Sequence, residues 1–443
     1  MTDSYWCELA WLGGDGVDSG VVVEVDGGTI ASVLAGVPAP PRDAARLAGL
    51  TIPGLANAHS HAFHRALRGR THAGTGSFWT WRDRMYALAD ALDPDHYHRL
   101  ARAVYGEMAL AGITCVGEFH YLHHGPGGTP YSDENAMGEA LLAAATEAGV
   151  RITLLDTCYL QGGIGVEPSA TQRRFSDGDA LSWATRVSAL RPGPGARIGA
   201  AIHSVRALEP AAMQIVRAWA DDAHAPLHAH VSEQPAENDQ CRAAYGCSPT
   251  ELLGRHGVLS SSFTAVHATH ASDDDVTRIG ASGSTCCFCP TTERDLADGI
   301  GPARALVDAG ACLVVGSDSH AVIDLFEETR AVELHERLAS GVRGAFDVAS
   351  LAAMATANGH ACLGWPEAGR IAPGALADLV TVRLDGVRLA GARADDSIAA
   401  VVFAATAGDV HHVVVGGDVI VRDGRHVRMD VAAELAAALA DLP

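Results

Sequence analysis

Through the middle of this chain, short apolar runs of strand character alternate with alanine-rich stretches of helical character. The runs are ITCVGEF (113–119), RITLLDT (151–157), RIGAAIH (197–203), PLHAHVS (226–232), FTAVHAT (263–269) and CLVVGSD (312–318). Helix candidates such as 134–149 and 210–223 fall between successive runs. Parallel strands need a long crossover to return the chain, and a helix supplies it. Enough such units close into a (β/α)8 barrel of the TIM type. In that fold functional side chains sit at the C-terminal ends of the strands, and polar residues stand there in these runs.

Both termini are β-rich instead. Residues 19–35 read as a hairpin about Asp26-Gly27-Gly28, and 375–386 and 411–427 as further strands, the last pair turning at Gly416-Gly417. The sequence Arg191-Pro192-Gly193-Pro194-Gly195 reads as a loop within the barrel region.

Charge excludes several function classes. The 443 residues carry 53 acidic and 32 basic side chains, a net charge of −21, and every basic residue is arginine. Lysine chemistry, including Schiff bases and P-loops, is therefore ruled out. Nucleic acid and anionic membrane surfaces are disfavoured partners, because both need clustered positive charge. The N-terminus lacks the basic and apolar regions of a signal peptide, and the most apolar later segment, 398–408, falls short of the roughly 20 residues a membrane span needs. A soluble cytoplasmic protein is the expectation. The ten cysteines are scattered, so reduced thiols are expected, and Cys286, Cys287 and Cys289 read as buried small hydrophobes rather than a metal site.

Four pieces can carry chemistry. His59 and His61, in NAHSHAFHR, are two apart at a strand end, so both side chains reach the same side and can share one ion. His228-Ala229-His230-Val231-Ser232-Glu233 ends a second strand, and a histidine with an acid three residues later can set a proton donor beside a metal ligand. His267 closes a third run and Asp318 a fourth. Singly, each has a bland reading as a surface histidine or a helix cap. Their joint appearance, each closing an apolar run, is what carries weight.

This order, H-x-H, then H-x-x-E, then H, then a late G-S-D, resembles the amidohydrolase superfamily in its mononuclear-zinc deaminase branch, over nearly the whole chain. The resemblance implies a barrel over residues 53–364 and a small β-sandwich from residues 1–52 and 365–443. It implies one Zn2+ per subunit held by His59, His61, His230 and Asp318, and a homodimer. The stretches NAHSHAFHRALRG (57–69), SFWTWRDRMY (77–86), GEFHYLHH (117–124), IHSVRA (202–207), HVSEQ (230–234), VHATH (266–270) and GSDSH (316–320) look like the N-formimino-L-glutamate deiminases of histidine degradation. That likeness implies hydrolysis of a small acidic amino-acid derivative to N-formyl-L-glutamate and ammonia.

Chemistry can be argued beside the resemblance. Zinc with an open position lowers the pKa of bound water to about 7. Glu233 is the candidate proton shuttle, and Asp318 and His267 are candidates to orient the water and take its proton, with the choice of base open. Arginine suits carboxylates because its planar fork makes two hydrogen bonds. The resemblance nominates Arg82 and Arg206 for this, with Tyr121, His203 and His64 as further substrate contacts. His64 departs from the pattern, since the family commonly has glutamine there. Histidine offers one N–H, or two if charged. His228 is expected in a supporting role at most, and His320 as a contact behind the ligands.

Two other function classes compete. A purine or pterin deaminase of the same superfamily would need aromatic stacking surface, and only 5% of the chain is aromatic. A non-catalytic scaffold with this fold would usually have lost ligands, and none is missing here.

Overall fold

The computed structural model describes residues 3–14, 16–72, 78–440 and 442. Four strands come first: β1 (Asp3–Trp11), β2 (Val17–Asp26), β3 (Thr29–Leu34) and β4 (Ala45–Pro53). The next eight are β5 (Leu55–Ser60), β6 (Ile113–His120), β7 (Arg151–Cys158), β8 (Ala196–Ile202), β9 (Leu227–Val231), β10 (Phe263–His267), β11 (Thr285–Phe288) and β12 (Cys312–Val315). They pair in sequence order, every pair parallel. A parallel bridge between Ser60 and Asp318 brings the chain after β12 back to β5, so the sheet is a nearly closed barrel.

The six runs read from the sequence are β6 to β10 and β12. The expected crossovers at 134–149 and 210–223 are the helices Ala136–Ala148 and Pro210–Asp222. In the second, Pro210 at the first helical position presets the backbone angle and loses no helical hydrogen bond. The cysteine cluster belongs to β11 and the residue after it, and Cys286, Cys287 and Cys289 are all buried.

Four strands follow the barrel: β13 (Leu379–Val382), β14 (Val410–Val415), β15 (Asp418–Arg422) and β16 (Arg425–His426). They join the first four in one mixed sheet ordered β16-β15-β14-β13-β4-β1-β2-β3, so the two ends of the chain build it together. The chain passes from this sheet into the barrel at Gly54. A Cβ there would lie 2.2 Å from Thr114 Oγ1, which leaves glycine as the residue that fits.

Two main apolar cores result, and Ala58, Val266, Cys287, Cys289 and Val314 form a third, minor cluster. The large one fills the barrel and its helix layer, with Val116, Leu154, Ile202, Phe263 and Leu313 among its members. The small one lies under the terminal sheet and includes Val21, Val23, Ile30, Leu47 and Val414. No helix among the described residues is long and apolar enough to cross a membrane.

An ion pair ties the two layers at the end of the barrel opposite the strand C-termini. Arg151, the first residue of β7, donates through Nε and Nη2 to both oxygens of Asp378 at 2.8 and 3.0 Å, and Asp378 also accepts from the Gly416 N–H at 2.7 Å. Asp378 is 1% exposed. Removing one partner of such a buried pair leaves an uncompensated charge, so Asp378→Ala is expected to lower stability by about 3–5 kcal/mol in chemical denaturation. A loss under about 1 kcal/mol would show the pair to be incidental.

Candidate metal and catalytic site

At the C-terminal mouth of the barrel, the strands deliver the four expected ligands to one place. His59 lies in β5 and His61 follows it, His230 lies in β9, and Asp318 follows β12. His230 Nε2 is 3.1 Å from His59 Nε2, and Asp318 Oδ1 is 3.4 Å from His59 Nε2 and 3.5 Å from His61 Nε2. Donor atoms bonded to a tetrahedral zinc at roughly 2.0–2.2 Å stand about 3.4 Å apart, so these spacings fit the ion.

Backbone carbonyls set which ring nitrogen faces inward. His61 Nδ1 donates to the Phe119 carbonyl at 2.8 Å and His230 Nδ1 to the His203 carbonyl at 2.9 Å. With the proton on Nδ1, Nε2 carries the lone pair. Burial pushes the His59, His61 and His230 imidazoles below the usual histidine range, so they stay neutral. Burial would raise the Asp318 carboxyl, but His267 and His61 outweigh it and hold it down. Two inward lone pairs and a carboxylate therefore converge where a cation satisfies them all.

His267 ends β10 beside this group, its Nε2 3.8 Å from Asp318 Oδ2 and 3.9 Å from Glu233 Oε1. Burial opposes its charged form, yet Glu233, Glu293 and Asp318 together raise it well above the ordinary value. Glu233 is raised in turn, chiefly by burial.

Two backbone features hold the mouth in shape. Gly316 lets the chain after β12 press against β5, since a Cβ there would lie 2.8 Å from the Cβ, N and O of His59. Among the described residues, eight other than glycine have positive φ, and five of them are Ser232, His267, Ala268, Asp318 and His320. Strained backbone gathered at strand ends is a mark of a functional site.

A cavity of about 610 Å³ opens over the group, lined by His61, His230, Glu233, His267 and Asp318. His64, Arg82, Tyr121, His203 and Arg206 also line it, so every sequence-predicted contact is brought to the same wall. His59 lies beneath, fully buried. Arg206 Nε donates to Glu237 Oε2 at 3.1 Å, while the Arg82 guanidinium lies over the rings of Trp79 and Tyr86, 4.5 and 5.4 Å from their centroids. His64 Nε2 and the Tyr121 hydroxyl are hydrogen-bonded at 2.9 Å. Ser77, the first residue of the SFWTWR motif, lies outside the described residues.

The low aromatic content did not foretell the pocket. Phe78, Trp79, Trp81, Tyr86, Tyr121, Tyr159 and Phe175 all face the cavity. The first four belong to the SFWTWRDRMY segment, where their density was a legible signal. Glu118 and Glu293 are buried acids near the site that the sequence reading passed over. An acid inside the apolar run ITCVGEF was the available sign for Glu118; nothing comparable marks Glu293.

Other histidines stand apart. His228 Nε2 contacts the Cys362 carbonyl at 3.2 Å, outside the ligand group. His120, His123 and Asp156 form a second cluster, but Asp156 already accepts from Arg186 Nη1 and Nη2 at 3.0 and 2.8 Å and from Trp183 Nε1 at 2.9 Å. A cation there would face the guanidinium. Burial would raise the Asp156 carboxyl, yet Arg186 prevails and holds it at about 2. Asp177 is likewise lowered, with burial outweighed by His124 and Arg186.

A depressed acid stabilises the fold above its unfolded pKa of about 3.9 and loses that contribution as pH falls toward the folded value. Denaturant stability should therefore drop between about pH 5 and pH 2, by on the order of 2 kcal/mol from Asp156 alone. Asp156→Asn should flatten that slope, and an unchanged slope would remove this carboxylate from acid unfolding.

The chain is similar to known proteins over most of its length. The model of the amidohydrolase family matches residues 50–420. The formimidoylglutamate deiminase of Pseudomonas aeruginosa is 36% identical over 396 residues, covering 86% of this chain and 87% of that protein. A 5-methylthioadenosine/S-adenosylhomocysteine deaminase of Halobacterium salinarum is 29% identical over 94% of this chain and 91% of its own length. The crystal structure of an amidohydrolase from Brucella melitensis superposes with a TM-score of 0.91 at 34% identity, covering 99% of both chains. An adenosine deaminase from Xanthomonas campestris with bound zinc, 24% identical, shares the fold with a TM-score of 0.84 over 98% of this chain and 96% of its own.

Proposed function

We propose that this chain, which belongs to the amidohydrolase family, hydrolyses N-formimino-L-glutamate to N-formyl-L-glutamate and ammonia, a step of histidine degradation. The observation that carries the reading is that Arg82 and Arg206 share one cavity with the His59, His61, His230 and Asp318 cluster. A linear amidine bearing two carboxylates needs positive anchors and an activated water within one pocket. The 36% identity to a formimidoylglutamate deiminase supports the same choice.

His59, His61, His230 and Asp318 would hold one zinc, which when bound supplies Lewis acidity and makes hydroxide available at neutral pH. Arg82 and Arg206 bind the substrate carboxylates, with His64 and Tyr121 offering further hydrogen bonds. His203 faces the reacting amidine. The Asp318 carboxyl, held down by its neighbours, is the better proton acceptor of the Asp318–His267 pair, because the acids around His267 favour its protonated form. Glu233, whose carboxyl burial pushes toward its protonated form, delivers a proton to the departing nitrogen, so that ammonia rather than amide ion leaves. Barrel residues 53–364 supply this machinery, and a cytoplasmic homodimer with one zinc per subunit is the working form that the reading carries with it.

The aromatic walls favour one competitor, a deaminase of purine-like rings, as in the Halobacterium relative. Ammonia release from formiminoglutamate, formiminoaspartate and a purine panel separates the two. Formiminoglutamate should be preferred, and Arg82→Ala or Arg206→Ala should each lower its kcat/KM by at least about 30-fold, roughly 2 kcal/mol. Turnover of a purine with both arginine variants unimpaired would transfer the assignment to the ring deaminases. Glu233→Gln should keep metal and fold while kcat falls by about 10²–10⁴-fold, and retained turnover would move the proton shuttle elsewhere.

A further inference from the structure

Behind the ligand group, on the face of the β12–β5 seam turned away from the cavity, runs a buried chain of hydrogen bonds. Asn57 Nδ2 donates to Ser317 Oγ at 2.7 Å, and the Ser317 hydroxyl is 2.9 Å from His320 Nδ1. His320 Nε2 is 3.1 Å from Ser60 Oγ, and the Ser60 hydroxyl donates to Glu118 Oε2 at 2.7 Å. The other oxygen of Glu118 accepts the Ala62 N–H at 2.7 Å, and Asn57 Oδ1 accepts the Ser317 N–H at 2.9 Å. Asn57, Ser60, Glu118, Ser317 and His320 are all fully buried.

Hydrogen positions along this chain follow from its two ends. An amide NH2 can only donate and a carboxylate can only accept. Ser317 therefore takes the Asn57 proton and gives its own to His320 Nδ1. His320 then carries its proton on Nε2 and gives it to Ser60, whose proton goes to Glu118. With Glu118 ionised, a carboxyl that burial raises to about 7, every donor has an acceptor, in one direction.

Its position gives that arrangement a use. The backbone closure of the barrel at this point consists of the Asp318 N–H on the His59 carbonyl at 3.0 Å and the His61 N–H on the Asp318 carbonyl at 3.2 Å. Ser60 lies between His59 and His61, Ala62 follows them, and Ser317 and His320 bracket Asp318. The chain thus ties the end of β5 to the segment after β12, two of the three places that carry ligands, through residues one or two positions from them.

We propose that Glu118 and His320 are positioning residues, which through Ser60 and Ser317 fix the relative placement of the His59–His61 segment and Asp318. Neither residue faces the cavity, and both act through the strands they hold. Groups that orient metal ligands from behind typically contribute 10–100-fold in metal affinity. The inference rests on the metal reading of the cluster given above.

The test uses full-length protein loaded with zinc, or with cobalt(II) as a spectroscopic probe, and the variants Ser60→Ala and Glu118→Gln. Ser60→Ala cuts the chain at its middle by removing one hydroxyl. Glu118→Gln keeps the shape but replaces one acceptor by a donor. Each variant is expected to lose metal to a chelator at least 10-fold faster than the wild type, with altered cobalt ligand-field bands. Folded variants that keep wild-type retention and spectrum would overturn the proposal. So would unfolding of both, which would mean that the chain holds the fold rather than the site. A wild type that binds neither metal would instead defeat the metal reading itself, and the positioning role with it.

Discussion

Closure of the barrel between β12 and β5 is the contact on which the rest of the site depends. Seven of the strand junctions are ladders between consecutive strands; the eighth is a bridge of two residues, Ser60 and Asp318. That bridge is made by the residues that present the ligands. Forming it places the Asp318 carboxylate within 3.5 Å of both His59 and His61. Gly316 is the steric condition for it, because any side chain there would collide with His59. Architecture and chemistry are joined here: the fold cannot close properly without assembling the cluster.

Electrostatics then divides the cluster into two kinds of group. Burial keeps the proposed ligand imidazoles neutral, as electron-pair donors, while His267 is charged by the acids around it. The same low-polarity setting raises Glu233 and lets His267 and His61 depress Asp318. Burial and neighbouring charge thus push two carboxyls that line one cavity in opposite directions, the kind of arrangement that suits acid–base chemistry at neutral pH. The field of a molecule with net charge −21 would oppose the two carboxylates of the proposed substrate, so that reading calls for local attraction. Arg82 and Arg206 at the cavity wall are placed to supply it.

Much of this was legible along the chain. The period of strand and helix gave six of the eight barrel strands, since a buried parallel strand is an unbroken apolar run and each crossover a helix of matching length. His59, His61, His230, Glu233, His267 and Asp318 were found because polar residues that interrupt apolar runs at their ends are costly unless used. What escaped had no such contrast. β11 is only four residues and half cysteine, so its residues read as buried small hydrophobes without marking a strand. The aromatic cavity escaped because an average over the whole chain dilutes the four rings clustered at 78–86, which folding joins with Tyr121, Tyr159 and Phe175.

The amino-acid sequence by itself determined the barrel, the strand-rich ends, the exclusion of lysine chemistry and the residues able to hold a metal. All of these depend on residue identity and short-range periodicity. Only the tertiary structure decided that Glu118 stands behind the ligands, which groups His228 and His320 bond to, and that Asp156 is committed to Arg186 and Trp183. Those are relations between residues from 27 to 260 positions apart. Their partners are chosen by barrel closure and by the burial that makes an unpaired polar group too costly to leave alone.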